Sequence, residues 1–284
     1  MEDQTLEMPS QLIRGRATKI LVLNPNSSQS MTEGMTGALN SPDLGLPFST
    51  EIHTYTAPVS SRAPASINDG DDIAASTAAV LADFSDADRA AFDGILVACF
   101  SVHPLVRELQ APESRAVTGI FEASVLTALS LLRPPPSSPE GSSKDGDLDK
   151  WGIVTTGKFW EDHLADGVRA FLGGHPGADS ARFAGVESTG LNASDFHDGV
   201  PPEVVREKLV SATRRLLRGG RTTVVVMGCA GMAGLEEIIR SAAKEDFGEH
   251  FAYEVLHVVD GVRAGILQVE TMIKHQRLRG RPRT

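Results

Sequence analysis

A chain of 284 residues, 41% hydrophobic and 23% charged, is long enough to bury a large core, either as one α/β domain or as two similar lobes. A formal charge of −10 and a pI near 5.3 exclude a nucleic-acid footprint, which needs concentrated Lys and Arg. Two cysteines outside any C-x-x-C exclude a disulfide framework, and eight histidines without clustered spacing argue against a metal site.

Residues 1–18 are acidic and polar, with neither the basic start nor the apolar stretch of a secretory signal, and are expected to be an extended or disordered tail. The run "KILVLN" (19–24) is short, aliphatic and nearly continuous, the pattern of a strand buried on both faces of a parallel sheet. "SSQSMTEGMTGALN" follows it with Ser/Thr at its start, as a helix would. "FDGILVAC" (92–99) is a second such strand, and "HPLVRELQ" follows with an early Pro104 and Leu105, Val106 and Leu109 at helical spacing. "TGIFEAS" reads as a strand turning into a helix, with Glu122 either a first-turn acid or a site residue.

Residues 133–150, "RPPPSSPEGSSKDGDLDK", have the Pro/Ser/Gly composition of a linker or flexible surface insertion. Beyond it "KWGIVTT" (150–156) and "TTVVVMGC" (222–229) are further buried-strand runs, and "GLEEIIRSAAKEDF" is a good helix former. Asp260 in "VVDGV" ends a strand-like run before a helix and reads as an N-cap or a site residue. From residue 274 the basic stretch "KHQRLRGRPRT" is expected to be a solvated tail. No apolar run approaches the ~20 residues that span a bilayer, so no membrane partner is expected and a cytoplasmic location is.

The two halves, 19–132 and 150–273, look like copies. Asn24 and Cys99 end successive apolar runs 75 positions apart, and Thr155 and Cys229 end the matching runs 74 apart. Alternating strands and helices in both halves imply two pseudo-symmetric, doubly wound α/β lobes with parallel sheets, with strands and helices free to exchange between them, and an active site in the cleft. Both cysteines then stand at carboxyl ends of strands, the edge where open α/β sheets bind ligands.

Alone, Cys229 in "VVVMGCAGM" is a small buried hydrophobe or a reactive thiol. As a pair before helix N-termini, the thiols suit stabilisation as thiolates by free backbone N–H groups. Two such groups on opposite sides of a carbon next to a carbonyl can remove a proton from one face and return one to the other. That arrangement is a racemase, and the carbonyl itself accepts the charge, so no metal or organic cofactor is required.

The segments "LVLNPNSSQSMT", "ACFSVHP", "TGIFEAS", "GIVTTGKFW", "MGCAGM" and "VVDGV" resemble the hydantoin racemase branch of the aspartate/glutamate racemase superfamily, which includes allantoin racemases. The resemblance runs from about Lys19 to Ile273. It implies Cys99 and Cys229 as the acid/base pair, and places Asn24, Ser27, Phe100, Ser101, Ala230 and Gly231 around the substrate. Glu122, Thr155 and Thr156 would line or support the pocket. Amino-acid racemases of the superfamily follow their cysteines with Asn-Thr and Thr-Glu. Phe100-Ser101 and Ala230-Gly231 stand here instead, which suits a cyclic ureide better than a free amino acid. Val102-His103 depart from the Phe-Ser-Asp-Pro of bacterial hydantoin racemases and are similar to fungal members.

The expected activity is therefore racemisation of 5-substituted hydantoins or allantoin by a homo-oligomer. Rival readings are a malonate-type decarboxylase or maleate-type isomerase on the same fold, and a two-lobed binding protein without turnover. "GIVTTGKF" misses the phosphate-loop pattern, because Phe159 replaces the Mg²⁺-holding hydroxyl. His103 is read as a helix-end or pocket-rim residue.

Overall fold

The computed structural model describes residues 17–40, 44–46, 49–110, 115–134, 148–174, 180–197 and 199–278. The first half runs β1 (Thr18–Asn24), α1 (Gln29–Leu39), β2 (Thr50–Thr56), α2 (Gly70–Asp83), α3 (Asp86–Ala90), β3 (Gly94–Val97), α4 (Pro104–Gln110), β4 (Ala116–Gly119) and α5 (Ile120–Leu131). The second runs β5 (Lys150–Thr155), α6 (Phe159–Phe171), β6 (Phe183–Ser188), α7 (Pro202–Leu217), β7 (Thr222–Gly228), α8 (Glu236–Phe247), β8 (His257–Asp260) and α9 (Gly261–Leu278). Two four-stranded sheets result, ordered β2-β1-β3-β4 and β6-β5-β7-β8, with every pair parallel. This is the doubly wound, pseudo-symmetric α/β pair expected from the repeat.

The alternation of strand side chains sorts the core into layers. Leu21, Leu23, Ile95, Val97 and Val117 point outward onto Ala79 and Val80 of α2 and Leu105 and Leu109 of α4. Val154, Val225 and Met227 do the same in the second half, against Leu209, Leu216 and Ile239. The opposite faces, carrying Ile20, Val22 and Leu96 in one sheet and Ile153, Val224 and Val226 in the other, share one continuous apolar cluster with α1, α5, α6 and α9. That shared layer joins the two halves.

α5 leaves the first sheet and packs on β7 and β8 of the second, while α9 leaves the second and packs on β1, β3 and β4 of the first. Glycines permit the close approach: a Cβ at Gly265 of α9 would lie 2.5 Å from Leu96 Cδ1.

α9 continues through Leu278, so residues 274–278 are helical rather than the tail expected from their charge. Arg277 explains why, since its Nη2 donates to Thr18 Oγ1 at 3.0 Å and stands 4.0 Å from Asp93. Residues 1–16, 135–147 and 279–284, which hold the rest of the expected tails and insertion, lie outside the described residues. The two ends of that insertion are tied together. Arg133 donates to the Asp149 carboxylate at 2.5 and 2.7 Å, and Arg182 donates to the carbonyls of Asp149 and Arg133 at 3.2 and 2.7 Å.

A Cβ at Gly94 would collide with Val269 of α9 and stand 3.0 Å from Ile273 Cδ1 and 3.1 Å from the Ala116 carbonyl oxygen. Gly94→Ala is therefore expected to lose about 1–3 kcal/mol by overpacking the exchanged helix, read as a lower urea midpoint.

Candidate functional site

In both sheets the strand order reverses beside the first strand, so the loops after β1 and β3, and after β5 and β7, splay apart at a topological switch point. The registers are equivalent. Val97 pairs with Leu23 and with Gly119, and Met227 pairs with Val154 and with Asp260. Cys99 and Cys229 each lie two residues beyond these matched positions and occupy corresponding places in the two halves.

Between the two switch points is a cavity of about 30 Å³. Asn26, Met31, Ile67, Ala98, Cys99 and Phe100 line it from the first half, and Thr156, Trp160, Ala193, Gly228, Cys229 and Ala230 from the second. Cys99 is 9% exposed, Cys229 is half-buried, and both are free thiols.

The two thiols are held differently. Cys99 Sγ lies 3.4 Å from Ser101 Oγ, and four residues separate it from α4, so it is not at a helix N-terminus. Cys229 caps the single 3₁₀ turn Ala230–Met232, where its Sγ accepts the Gly231 N–H at 3.3 Å. Gly231 has no room for a side chain, since a Cβ there would lie 2.8 Å from the Ala193 carbonyl oxygen.

Stabilised thiolates were the expectation, yet both thiols are raised. Burial pushes Cys99 up to about 12, against the opposing Ser101 hydrogen bond and with help from the nearby Cys229 and Glu122 charges. Burial pushes Cys229 up to about 11, with the Gly231 and Met232 amides pulling the other way. Loss of hydration outweighs one or two donors, so at neutral pH the free site holds two neutral thiols.

Of the residues expected around the pocket, the cavity wall brings together Cys99, Cys229, Phe100, Thr156 and Ala230. Asn24, Ser27, Ser101, Glu122, Thr155 and Gly231 are not among the residues that line it. Asn24 is fully buried and builds the first loop, donating to the Ser28 carbonyl and Thr32 Oγ1 while its Oδ1 accepts the Asn26 N–H. Ser27 donates to the Ala63 carbonyl at 3.2 Å, and Thr155 Oγ1 donates to the Gly228 carbonyl at 2.9 Å, fixing the strand end before Cys229.

The family model for the Asp/Glu/Hydantoin racemases matches residues 20–269, which takes in both sheets and both cysteines. The chain belongs to this family. A Schizosaccharomyces pombe relative, Uncharacterized protein C1F7.10, is 30% identical over 257 residues, covering 90% of this chain and 92% of its own. Hydantoin racemase from Pseudomonas sp. (strain NS671) is 24% identical over 257 residues, covering 90% and 86%. The fold is similar to that of allantoin racemase from Klebsiella pneumoniae, with a TM-score of 0.67 at 24% identity over 91% of this chain and 89% of that one.

Within this racemase-family chain the remaining candidates have structural places. Asp260 takes the amides of Val262, Arg263 and Gly234 at 2.8, 3.1 and 3.2 Å, capping α9 and tying down the loop after Cys229. His103 Nδ1 accepts the Leu105 N–H at 3.3 Å, which leaves Nε2 to face Ser76 Oγ at 3.1 Å and assigns the Nε2–H tautomer. Sequence reasoning missed Asn26, Met31, Ile67, Ala98, Trp160, Ala193 and Gly228 as wall residues, of which Ala98 and Gly228 directly precede the cysteines. The internal repeat held a signal for four of them. Met31 and Trp160 sit in the first turns of α1 and α6, and Ile67 and Ala193 in the loops after β2 and β6. Among the described residues no group of three or more His, Cys, Asp or Glu side chains could hold a metal ion, and no helix is long and apolar enough to cross a membrane.

Burial holds the His103 imidazole down at about 4. The folded protein then binds fewer protons than the unfolded chain between about pH 6.5 and 4, so this histidine's contribution to stability is present above 6.5 and lost as pH falls. His103→Gln is expected to remove that part of the acid sensitivity, at most about 1.4 kcal/mol per pH unit, in urea melts run from pH 7 to 4.

Proposed function

We propose that this chain is a cofactor-independent racemase of 5-substituted hydantoins or allantoin, with Cys99 and Cys229 as opposed acid and base. The observation that carries the reading is that two free thiols, at equivalent strand ends of two pseudo-symmetric halves, border one small cavity. In the reaction one thiolate takes the proton from C5 of the ring. The C–H electron pair moves into the adjacent carbonyl as an enolate, and the opposite thiol gives its proton to the other face of C5. The two sulfurs end with their protonation states exchanged. The next turnover then accepts the opposite hand.

The wall chemistry supports a neutral ring. None of its twelve residues is Lys, Arg or His, so a dicarboxylate would enter a mostly apolar site with no cation to meet it. This weighs against malonate- or maleate-type chemistry and against free aspartate or glutamate. A ureide brings amide N–H groups and carbonyls that Asn26, Thr156 and backbone amides can satisfy without a buried net charge.

With thiols near 11 and 12 in the free site, the thiolate fraction grows about tenfold per pH unit through the neutral range. kcat/KM is expected to rise with pH from 6 to 9, and product formed in deuterated water should carry one solvent deuteron at C5. Cys99→Ser and Cys229→Ser are each expected to lower kcat/KM about 10²–10⁴-fold in a chiral assay. Wild-type rates in both variants would sink the two-thiol mechanism.

A further inference from the structure

Glu122 stands at a place where the pseudo-symmetry is broken. In the second half, the strand beside the Cys229 strand ends in Asp260, whose carboxylate is satisfied by three backbone amides. The matched position in the first half is Gly119, in register with Val97 just before Cys99. A carboxylate is present there too, but it comes from α5. Glu122 Oε2 fills the space beside Gly119 so closely that a Cβ on that glycine would collide with it, and Val106 of α4 closes the same side at 3.2 Å.

The two carboxylates differ in what they touch. Glu122 Oε2 is buried, and among the described residues no hydrogen bond reaches it. Burial pushes the carboxyl up to about 6 against the amides of Glu122 and Gly119, and its charge is close enough to raise Cys99 further. Of the other titratable groups on the packed elements, His103 is engaged by Ser76 and the Leu105 amide, and Arg263 by the Ala38 carbonyl and Glu236. Cys99 therefore has a carboxylate near it, whereas Cys229 has the N–H groups of its own turn.

We propose that Glu122 is a positioning residue for the proton on Cys99: its carboxylate opposes the Cys99 thiolate, so that when one of the two neutral thiols gives up its proton it is Cys229, and Cys99 stays the acid. The acid and base roles rest on the function proposed above, but the coupling between Glu122 and the thiol does not. In the direction that needs Cys99 as base, Glu122 opposes formation of the thiolate. The two half-reactions are thus unequal in kcat even though a racemisation fixes their ratio of kcat/KM at unity.

The test is the pH dependence of alkylation by iodoacetamide of the full-length protein, with the Cys99 and Cys229 peptides resolved by mass spectrometry. In the wild type, log rate for Cys99 should rise with pH, flatten around pH 6 as Glu122 ionises, and rise again above it. Glu122→Gln should abolish that shelf and speed Cys99 alkylation about tenfold at pH 8, for a coupling of one pK unit, with Cys229 within about twofold of wild type. Glu122→Asp, which keeps the charge, should retain the shelf. A straight wild-type profile for Cys99 overturns the proposal without any variant. So does an unchanged Cys99 in Glu122→Gln, or equal acceleration of both thiols, which marks a loosened site. Absence of turnover would overturn the racemase reading and leave this coupling intact.

Discussion

The site depends on the packing of α9 against β3 and of α5 against β7 and β8, because that exchange holds the carboxyl ends of two sheets opposite each other. Neither half could do so alone. Each switch point offers one splayed pair of loops, and only a helix donated across the interface keeps the two pairs facing one cavity. Small residues make the approach possible on both sides of the crossing, where Gly261 lies against Ser124, Phe100 and Ile120, and Gly265 against Leu96. Since Leu96 and Phe100 flank Cys99 in the chain, the helix that joins the halves also fixes the backbone carrying one thiol.

Once the halves are joined, the chemistry is governed by the cost of charge in a small, mostly apolar space. Burial raises both thiols, and the N–H groups of the Ala230–Met232 turn recover only part of what hydration would have supplied to Cys229. A site of this kind keeps its acid protonated without effort and finds its base expensive. For the reaction proposed above, substrate binding would have to do part of the work, by bringing a carbon acid and its carbonyl next to the thiol that is to ionise. A neutral ring suits such a site because it adds no second buried charge.

The sequence made the strands that matter most legible, and for a physical reason. β1, β3, β5 and β7 are buried on both faces and read as continuous aliphatic runs; β2 and β6 lie at sheet edges, and "TEIHTYT" and "FAGVES" carry the mixed polarity of half-exposed strands. The paired cysteines were legible through spacing, since two copies of one fold put equivalent residues at equivalent distances. Which residues touch the cavity was not. Asn24 and Asn26 share one three-residue motif, but the first is consumed in shaping the loop and only the second reaches the wall. The electrostatic expectation failed for a similar reason: a helix after a cysteine promises N–H donors, but for Cys99 four residues intervene before α4 begins.

The cavity retains its two-fold origin and departs from it where discrimination is needed. Met31 answers Trp160, Ile67 answers Ala193, and Phe100 answers Ala230, pairs that match in place but differ in volume. A fully symmetric cavity would give a chiral ring two equivalent poses and no preferred seat for its 5-substituent. Under the proposed function, unequal walls would favour one pose for the ring and leave the two thiols to face opposite sides of one carbon. The same inequality extends to the proton inventory, where Asp260 is locked into backbone amides and Glu122 leaves one buried oxygen beside Gly119 without a donor among the described residues. Symmetry thus sets the two thiols at matched places, and its local failures give them unequal surroundings, which under the proposed mechanism decides how a ring would lie and which thiol ionises first.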